Sequence, residues 1–357
     1  MVGNIAVALD LDDGELPFVS AVVACRNEAA HIERCVRSLL DADYPQWLLE
    51  VLIVDGRSDD GTRDVVCEIA RRDPRVRLVD NPRRITPVAF NRGIAAALGE
   101  VILIVGSHSH YPPSYVRVLV NWLIGSGADC VGAVCHTQPS GDSVVCHAIA
   151  VGLSHPFGVG NAYFRTGVMT PRWVDTVAFG CYRRDVFTRI GGFDEELVRN
   201  QDDELNLRLG QRGGRLLLVP DVSSTYLARD ALGKLWRMYW QYGYYKPLGV
   251  RKLGGVLTVR QLVPAVFVAA VMLSLAALAT PLGPLPLSLV IGSYGLTCVA
   301  AALTSTPRHG WRVAFALPAV FVVLHVGYGL GFLRGAMRFL VGRRGPPVAA
   351  AQLPLTR

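Results

Sequence analysis

Three long apolar stretches near the C-terminus constrain this chain more than any other feature of its sequence. They cover residues 262–280, 285–304 and 313–333, and none contains Asp, Glu, Lys or Arg. Each has about the 20 residues that a membrane-spanning helix requires, and none has the polar face of a helix in a soluble core. The sequence therefore predicts a multi-pass transmembrane region over residues 261–340, followed by a C-terminal tail over residues 341–357.

A basic and aromatic segment, residues 229–260, precedes the first apolar stretch. It holds seven cations against one acid, interleaved with tryptophan and tyrosine, which favours a helix in the lipid headgroup layer. An ordinary amphipathic surface helix is the alternative. Basic residues next to a span tend to stay inside, and residues 1–17 form a tail without the basic leader of a secretion signal. We therefore expect a cell-membrane protein whose preceding domain is cytoplasmic, although three spans would place the basic residues 334–345 outside.

The remaining part of the chain, residues 18–228, alternates short β-rich runs with helical patterns. Strands are predicted at 18–27, 49–58, 76–81 and 100–106, with helices between them. Such alternation is typical of an α/β domain with a mainly parallel sheet and helices on both faces. Ligands of these sheets lie beyond the carboxyl ends of the strands, so the polar residues there should converge on one pocket. The eight cysteines form no CxxC pair, which fits reduced thiols in a cytosolic domain.

Three segments of this domain, "VVACRNEAAHIERCVRSLL", "VLIVDGRSDDGT" and "AFNRGIAAALGEVILIV", resemble the family 2 inverting glycosyltransferases. Residues 174–220 are similar to the acceptor half of membrane-attached members, the succinoglycan-type glucosyltransferases. The resemblance extends over roughly residues 18–340 and implies a GT-A nucleotide-sugar-binding domain over residues 18–228. It implies transfer of a hexose, with inversion, from a nucleotide-sugar, expected to be a UDP-sugar, to a lipid-linked acceptor at the cytoplasmic membrane face. Such a reaction serves polysaccharide (for example exopolysaccharide) or glycolipid biosynthesis.

Two other classes of function stand beside this one. A catalytically weak family member would bind a nucleotide or glycolipid and act as an assembly partner. A transporter or channel would need ionisable residues along the spans, and these offer only His325. The expected partners are therefore the nucleotide-sugar donor, a polyprenyl-linked or glycolipid acceptor and the membrane, and no nucleic acid.

The resemblance assigns donor binding to the ends of the first two strands. Asn27, Glu28 and Asp55 would hold the nucleoside, because carboxylate and amide oxygens accept hydrogen bonds from base N–H groups and ribose hydroxyls. Family members usually have a second acid after Asp55, whereas this chain has Gly56. The contact with the base is therefore expected from Asp55 or from the backbone.

The donor diphosphate is assigned to residues further along the domain. Arg83 and Arg84 precede the helix that carries Asn91, and we expect Arg84 and Asn91 on the donor side. A solvated pair of surface arginines is the alternative. Asp59 and Asp60 also follow the second strand, and we expect them to cap the next helix instead.

Inversion at an anomeric carbon needs one base that takes the proton of the acceptor hydroxyl from the face opposite the leaving diphosphate. The family motif for this base is an acid pair at the start of a helix, and "NQDDELNLRL" matches it with Asp202 as the catalytic residue. Gln201, Asp203 and Glu204 stand in the same turn and are expected on the acceptor side. The alternative is that these acids stand there because a helix N-terminus favours negative charge.

Family members hold a divalent metal through Asp-x-Asp at a strand end, or Asp-x-His in relatives of the succinoglycan type. The matching triplet here is Gly106, Ser107 and His108, so His108 remains as a metal ligand, with His110 two residues further on. We expect Mn²⁺ or Mg²⁺, with Mn²⁺ preferred because imidazole is softer than carboxylate. A pocket histidine without metal is the alternative. Restoring the acid by Gly106→Asp should tighten metal or donor binding, unless the glycine lets the backbone pass close to a ligand, in which case the added carboxylate would clash.

Overall fold

The computed structural model describes residues 8–255, 258–343 and 345. The chain forms two compact units, the first made of residues 1–136 and 167–226 and the second of residues 137–166 and 227–357. Most of the predicted C-terminal tail and part of the N-terminal tail lie outside the described residues. Residues 137–166, which the sequence placed in the α/β domain, group with the C-terminal helices.

A nine-stranded mixed sheet forms the centre of the first unit. Its strands are β1 (Val19–Cys25), β2 (Leu49–Asp55), β3 (Val76–Asp80), β4 (Val101–Gly106), β5 (Ser109–His110), β6 (Cys130–Gln138), β7 (Arg172–Val174), β8 (Cys181–Arg183) and β9 (Leu216–Leu227). They lie in the order β3-β2-β1-β4-β8-β6-β9-β5, with β7 also paired to β9. Strands β1 to β4 are mutually parallel, whereas β8 is antiparallel to β4 and β6, and β5 and β7 are antiparallel to β9. The predicted α/β fold is confirmed, and its second half adds antiparallel strands.

Helices connect the strands and make up most of the second unit. In chain order they are α1 (Ile32–Leu40), α2 (Thr62–Arg72), α3 (Thr86–Ala96), α4 (Tyr115–Gly125), α5 (Val144–Ser154), α6 (Pro156–Val159), α7 (Tyr163–Thr166), α8 (Asp185–Ile190), α9 (Gln201–Gln211), α10 (Leu232–Leu253), α11 (Val259–Ala276) and α12 (Leu285–Ala336). Short 3₁₀ turns occupy Gln46–Leu48 and Ala277–Ala279, and a π-helical turn occupies Met337–Val341.

Both faces of the parallel strands are covered, as predicted. Along β1, Ala21 and Val23 point into a core that also contains Val36 of α1. Val22 points to the opposite face, where α3 packs so closely that a Cβ on Gly93 would lie 2.2 Å from the Val22 side chain. Alternation along the strand thus buries both faces, and each fully buried valine or isoleucine contributes about 1.5 to 3 kcal/mol.

The second unit contains the long apolar helices. Within the part of the chain that the structure describes, two helical segments are long and apolar enough to cross a membrane, Val259–Ala279 (21 residues) and Leu285–Val341 (57 residues). The longer one is broken at Gly310, whose φ of 77° and ψ of 165° are not helical. The hydroxyl of Tyr294 lies 2.9 Å from Nδ1 of His325, although a straight helix would separate these residues by about 46 Å. The two arms of α12 therefore fold back on each other, and they contain the predicted stretches 285–304 and 313–333.

Helix α10 lies within the predicted basic and aromatic segment and packs along the second arm of α12. A Cβ on Gly331 would lie 2.2 Å from the carbonyl oxygen of Trp240, and one on Gly335 would lie 2.2 Å from that of Tyr244. Small residues spaced by four allow helix backbones to approach in this way. The aromatic side of α10 is therefore fixed against the apolar helices by close backbone packing.

Candidate active site

The carboxyl ends of the four parallel strands lie at one edge of the sheet. Cys25 of β1 is opposite Asp55 of β2, Asp55 is opposite Asp80 of β3, and Ala24 is opposite Gly106 of β4. The residues that follow these strands therefore start at the same level. We call the segments 25–28, 55–63 and 106–108 the strand-end site.

Asp55, predicted to contact the nucleoside, is completely buried. Its carboxylate accepts hydrogen bonds from the backbone N–H of Ser58 at 3.1 Å, from the Ser58 hydroxyl at 2.5 Å and from Arg63 at 2.8 Å. The same Arg63 nitrogen donates to Asp80 at 2.7 Å. These bonds raise the pKa of Arg63, the bond to Asp55 contributing most. Asp55 therefore holds a charged arginine at the start of α2.

That arginine lines a cleft of about 460 Å³ beside the strand ends. The other residues of its wall are Arg57, Ser58, Asp80, Pro82 and Arg92. Arg57 has a left-handed backbone with φ of 55°, an uncommon conformation for a residue other than glycine, and one enriched at functional sites. The three guanidinium groups make the cleft rich in N–H donors, so it suits a ligand with carbonyl or phosphate oxygens.

Asn27 and Glu28 join the end of β1 to the neighbouring loop. The backbone N–H of Asn27 donates to the Ser58 hydroxyl at 2.7 Å, and its side-chain oxygen accepts from the N–H of Asp59 at 3.0 Å. The N–H of Glu28 donates to the Thr62 hydroxyl at 2.7 Å. These bonds fix the first loop of the strand-end site to the second.

Glu28 also meets the predicted metal ligand. Its side chain is buried, and its Oε1 lies 3.0 Å from Nε2 of His108, whose side chain is partly exposed. The ring of His31 lies edge-on to that of His108, with 5.4 Å between centroids. Among the residues that the structure describes, no three His, Cys, Asp or Glu side chains converge on one point. The protein therefore offers a carboxylate and an imidazole here, and His110 lies one strand further on, paired with Thr225.

An aromatic ring occupies the place where the first acid of an Asp-x-Asp would stand. A Cβ on Gly106 would lie 2.8 Å from Cζ of Phe179, and 3.1 and 3.3 Å from the two neighbouring ring carbons. Any side chain at position 106 would therefore collide with this ring. The glycine leaves space for this ring, a contact within the protein that the sequence did not predict.

This contact changes what Gly106→Asp should do. We expect the single variant to bind nucleotide and Mn²⁺ no better than the wild type, because Phe179 blocks the new carboxylate. The double variant Gly106→Asp with Phe179→Ala should bind Mn²⁺ at least about tenfold more tightly than Phe179→Ala alone, since a hard carboxylate oxygen is then free to bind it. Titration calorimetry on the four proteins of this cycle measures the coupling. Tighter Mn²⁺ binding by the single variant would show that the ring does not obstruct the position.

Asp202 stands in the first turn of α9, half-buried, and its Oδ1 accepts a hydrogen bond from the N–H of Asp203 at 3.0 Å. One turn later, Asn206 is completely buried. Its side-chain oxygen accepts from the Tyr182 hydroxyl at 2.7 Å, and its amide donates to the carbonyl of Val177 at 2.9 Å. Asn206 thus fixes the start of α9 to the segment that carries Phe179.

Glu204, predicted on the acceptor side, has both carboxylate oxygens on one arginine. They lie 2.7 and 2.9 Å from nitrogens of Arg208, which also donates to the carbonyl of Gly192 at 2.7 Å. The pair is almost completely buried on the Glu204 side. The Glu204 carboxylate therefore anchors α9 to the preceding turn, while Gln201 and Asp203 are half-buried beside Asp202.

The two remaining residues predicted on the donor side, Asn91 and Arg84, have different surroundings. The amide of Asn91 donates to the carbonyl of Phe193 at 2.9 Å and to Glu195 at 3.1 Å, and its oxygen accepts from the N–H of Phe193 at 2.8 Å. Arg84 is exposed and has a left-handed backbone with φ of 60°. Asn91 therefore ties α3 to the segment 193–195, whereas the structure leaves Arg84 on the surface.

Sequence reasoning missed four residues of this region: Ser58, Arg63, Phe179 and Asn206. Ser58 and Arg63 follow β2 closely, and their polar side chains next to a buried acid were a signal. The roles of Phe179 and Asn206 depend on contacts between distant parts of the chain. Asp60 accepts hydrogen bonds from the N–H and the hydroxyl of Thr62 at the start of α2, although the N-cap residue of that helix is Gly61.

A mixed α/β sheet with polar loops converging at the ends of its parallel strands defines the class of GT-A-like nucleotide-sugar-binding folds. The mannosyltransferase PcManGT from Pyrobaculum calidifontis, solved in complex with GDP-Man and Mn²⁺, has the same fold. It superposes with a TM-score of 0.57 and 20% sequence identity over 89% of this chain and 88% of that one.

Sequence comparison takes the classification further. The model of the glycosyl transferase family 2 matches residues 20–189. The succinoglycan biosynthesis protein ExoA of Rhizobium meliloti (strain 1021) is 31% identical over 89% of this chain and 94% of its own length. A dolichyl N-acetyl-alpha-D-glucosaminyl phosphate 3-beta-D-2,3-diacetamido-2,3-dideoxy-beta-D-glucuronosyltransferase of Methanococcus voltae is 24% identical over 90% of this chain and 98% of its own length. The chain belongs to glycosyl transferase family 2, as its motifs predicted, and is a glycosyltransferase.

Proposed function

We propose that the protein is a membrane-attached inverting glycosyltransferase that moves a hexose from a UDP-sugar to a lipid-linked acceptor at the cytoplasmic face of the cell membrane. The observation that carries the proposal is similarity over 89% of the chain to a succinoglycan biosynthesis protein. The relative from Methanococcus voltae, whose name specifies a dolichyl phosphate-linked sugar, supports a lipid-linked acceptor. The pathway would be polysaccharide or glycolipid biosynthesis.

The donor nucleotide would lie in the arginine-lined cleft. Arg63, held by Asp55 and Asp80, offers N–H donors to the carbonyl oxygens of the base, and uracil presents two of these. Asp55 would act through Arg63, since its own oxygens already accept hydrogen bonds. Asn27 and Glu28 would border the ribose, and Arg84 and Asn91 remain the proposed residues on the diphosphate side.

A divalent cation fits the chemistry of the Glu28 and His108 side chains. Cations of this kind are commonly bound through one or two protein ligands and complete their coordination with substrate phosphates and water. One carboxylate and one imidazole meet that requirement, provided that His108 is neutral and the diphosphate is present. When bound, the cation would neutralise charge on the leaving diphosphate.

In the proposed step, Asp202 takes the proton of the acceptor hydroxyl while the acceptor oxygen forms a bond to the anomeric carbon. The bond between that carbon and the diphosphate oxygen breaks, and its electron pair leaves with the nucleoside diphosphate. Attack from the opposite face inverts the anomeric configuration. Gln201 and Asp203, beside the base, are proposed to orient the acceptor, and Glu204 to hold α9 in place through Arg208.

The exposed side chains of the apolar helices support membrane attachment. Val266 and Leu273 of α11, and Leu289 and Leu296 of α12, are each more than 60% exposed. Apolar surface of this extent normally marks contact with lipid or protein. We propose that α11 and both arms of α12 lie in the bilayer, with the basic residues around Arg260 on the cytoplasmic side.

This arrangement predicts the behaviour of the protein in cells. The protein should stay in the membrane pellet after extraction with high salt or alkaline carbonate, because hydrocarbon contacts resist both treatments.

Met169, which is 94% exposed, offers a test of the side of the membrane on which the first unit lies. Met169→Cys in a Cys67→Ser background should react with an impermeant maleimide only after the cells are permeabilised. Release by salt would support a surface helix instead, and labelling of intact cells would contradict the cytoplasmic placement.

The enzymatic proposal is tested with purified full-length protein in detergent. It is supplied with a panel of UDP-sugars and GDP-sugars, with lipid extracts or polyprenyl phosphate-linked glycans, and with Mn²⁺ or Mg²⁺. We expect release of nucleoside diphosphate that depends on the lipid acceptor, fastest with a UDP-hexose. Binding of nucleotide without any transfer across the panel would support the assembly-partner function instead.

A further inference from the structure

The side chain of Phe179 lies at the strand-end site, next to Gly106. Its ring is half-buried and covers Gly106, the last residue of β4. Side chains at the ends of parallel strands project towards the ligand, and His108 follows two residues later. The ring therefore stands where the chain could have placed a group facing the donor.

The backbone of Phe179 is in an unfavourable conformation. Its φ is 53°, in the left-handed region that glycine adopts freely and that a bulky residue rarely occupies. Bonds on both sides impose this conformation. The carbonyl of Val177 accepts from Asn206 at 2.9 Å, and the carbonyl of Gly180 accepts from the N–H of Ile104 at 3.0 Å. Strain that is held from both sides in this way is characteristic of functional sites.

The neighbouring glycine, Gly180, is closely packed. A Cβ on Gly180 would lie 2.4 Å from the sulfur of Cys130 and 2.7 Å from the ring of Tyr182. The turn therefore packs closely against β6 and β8. Phe179 is the residue of this turn whose large side chain reaches the strand-end site.

We propose that the Phe179 ring forms a wall of the donor-sugar subsite and contacts the apolar C–H face of the transferred hexose. The proposal rests on the proposed glycosyl transfer and adds a specificity-determining residue to it. A flat aromatic surface buries much area with little loss of side-chain freedom, and it excludes water next to the anomeric carbon. Where other family members have a carboxylate, this chain would thus contact its donor through apolar surface.

Calorimetry on the full-length protein in detergent tests the proposal with two pairs of probes, UDP with UDP-glucose and GDP with GDP-mannose. For the pair that the wild type binds, Phe179→Leu should lower the affinity for the nucleotide-sugar by about three- to tenfold. The affinity for the free nucleoside diphosphate should stay unchanged. Phe179→Tyr, which keeps the ring face, should bind both like the wild type. Phe18→Leu, a half-buried phenylalanine at the amino end of β1, is the matched control and should change neither affinity.

An equal loss of affinity for the diphosphate and for the nucleotide-sugar would overturn the proposal. The ring would then contact the nucleotide part of the donor or stabilise the fold. Unchanged affinities in Phe179→Leu would overturn it as well, leaving the ring as a filler above Gly106. If the wild type bound none of the four probes, both this proposal and the proposed function would fail. If the wild type bound a nucleotide-sugar and Phe179→Leu and Phe179→Tyr weakened its binding equally, this proposal would fail. The proposed function would not be affected by that result.

Discussion

Replacing Asp202 by asparagine is expected to lower the rate of sugar transfer by about 10²- to 10⁴-fold, the usual contribution of a general base. The change keeps the size of the side chain and the oxygen that accepts a hydrogen bond from Asp203. It removes only the ability to take a proton from the acceptor. Donor affinity and thermal stability should therefore stay at wild-type values, and the loss should appear in kcat.

The control for this variant tests the alternative that Asp202 stands at the start of α9 only because a helix N-terminus favours negative charge. Asp185 also stands in the first turn of a helix, α8, where it pairs with Arg189 at 3.1 Å. Asp185→Asn should leave transfer unchanged. Full activity in Asp202→Asn, or an equal loss in Asp185→Asn, would remove Asp202 from the role of base.

Replacing Arg63 by methionine should have the largest effect on the nucleotide cleft and on stability. Asp55 is completely buried, and without Arg63 its charge keeps the hydrogen bonds from Ser58 and a weak one from the Cys25 thiol, but no opposite charge bonded to it. Breaking such a pair from one side typically costs a few kcal/mol, so we expect the thermal midpoint to fall by about 5 to 15 °C. Nucleotide affinity should fall by about ten- to a hundredfold, because a charged donor is lost.

The double variant Asp55→Asn with Arg63→Met separates these two effects. It removes the buried charge together with its partner, so it should recover part of the lost stability but none of the lost affinity. Arg71→Met in the same helix is the matched control, since Arg71 forms only an exposed pair with Glu68. Wild-type nucleotide affinity in Arg63→Met would contradict the assignment of the cleft.

The parallel half of the sheet was predictable because β1, β2 and β4 are mostly apolar and buried along their length, and helical patterns separate all four strands. The antiparallel half was not, since β7 and β8 have three residues each and show no periodicity. The apolar helices were predicted from length and lack of charge, whereas the fold-back at Gly310 depends on a single backbone conformation. Local pattern thus specifies the regular elements, and individual residues decide how they are joined.

The positions of the strand-end residues were also predictable, but the partners of their side chains were not. Asn91 bonds to residues more than a hundred positions away, and Glu204 is occupied by Arg208 of its own helix. Phe179 was invisible because nothing in the sequence marks a phenylalanine with positive φ. The question of the missing acid at position 106 was answered only by the ring that contacts it in three dimensions.

The central claim is a single displacement in which Asp202 activates the acceptor and the nucleoside diphosphate leaves from the opposite face. The most direct test is the anomeric configuration of the new linkage, measured by NMR on the product formed from an α-linked UDP-sugar and a lipid-linked acceptor. A single displacement with Asp202 as the base predicts a β-linkage from the wild type and almost no product from Asp202→Asn. An α-linkage would require two displacements or a different mechanism, and would contradict it.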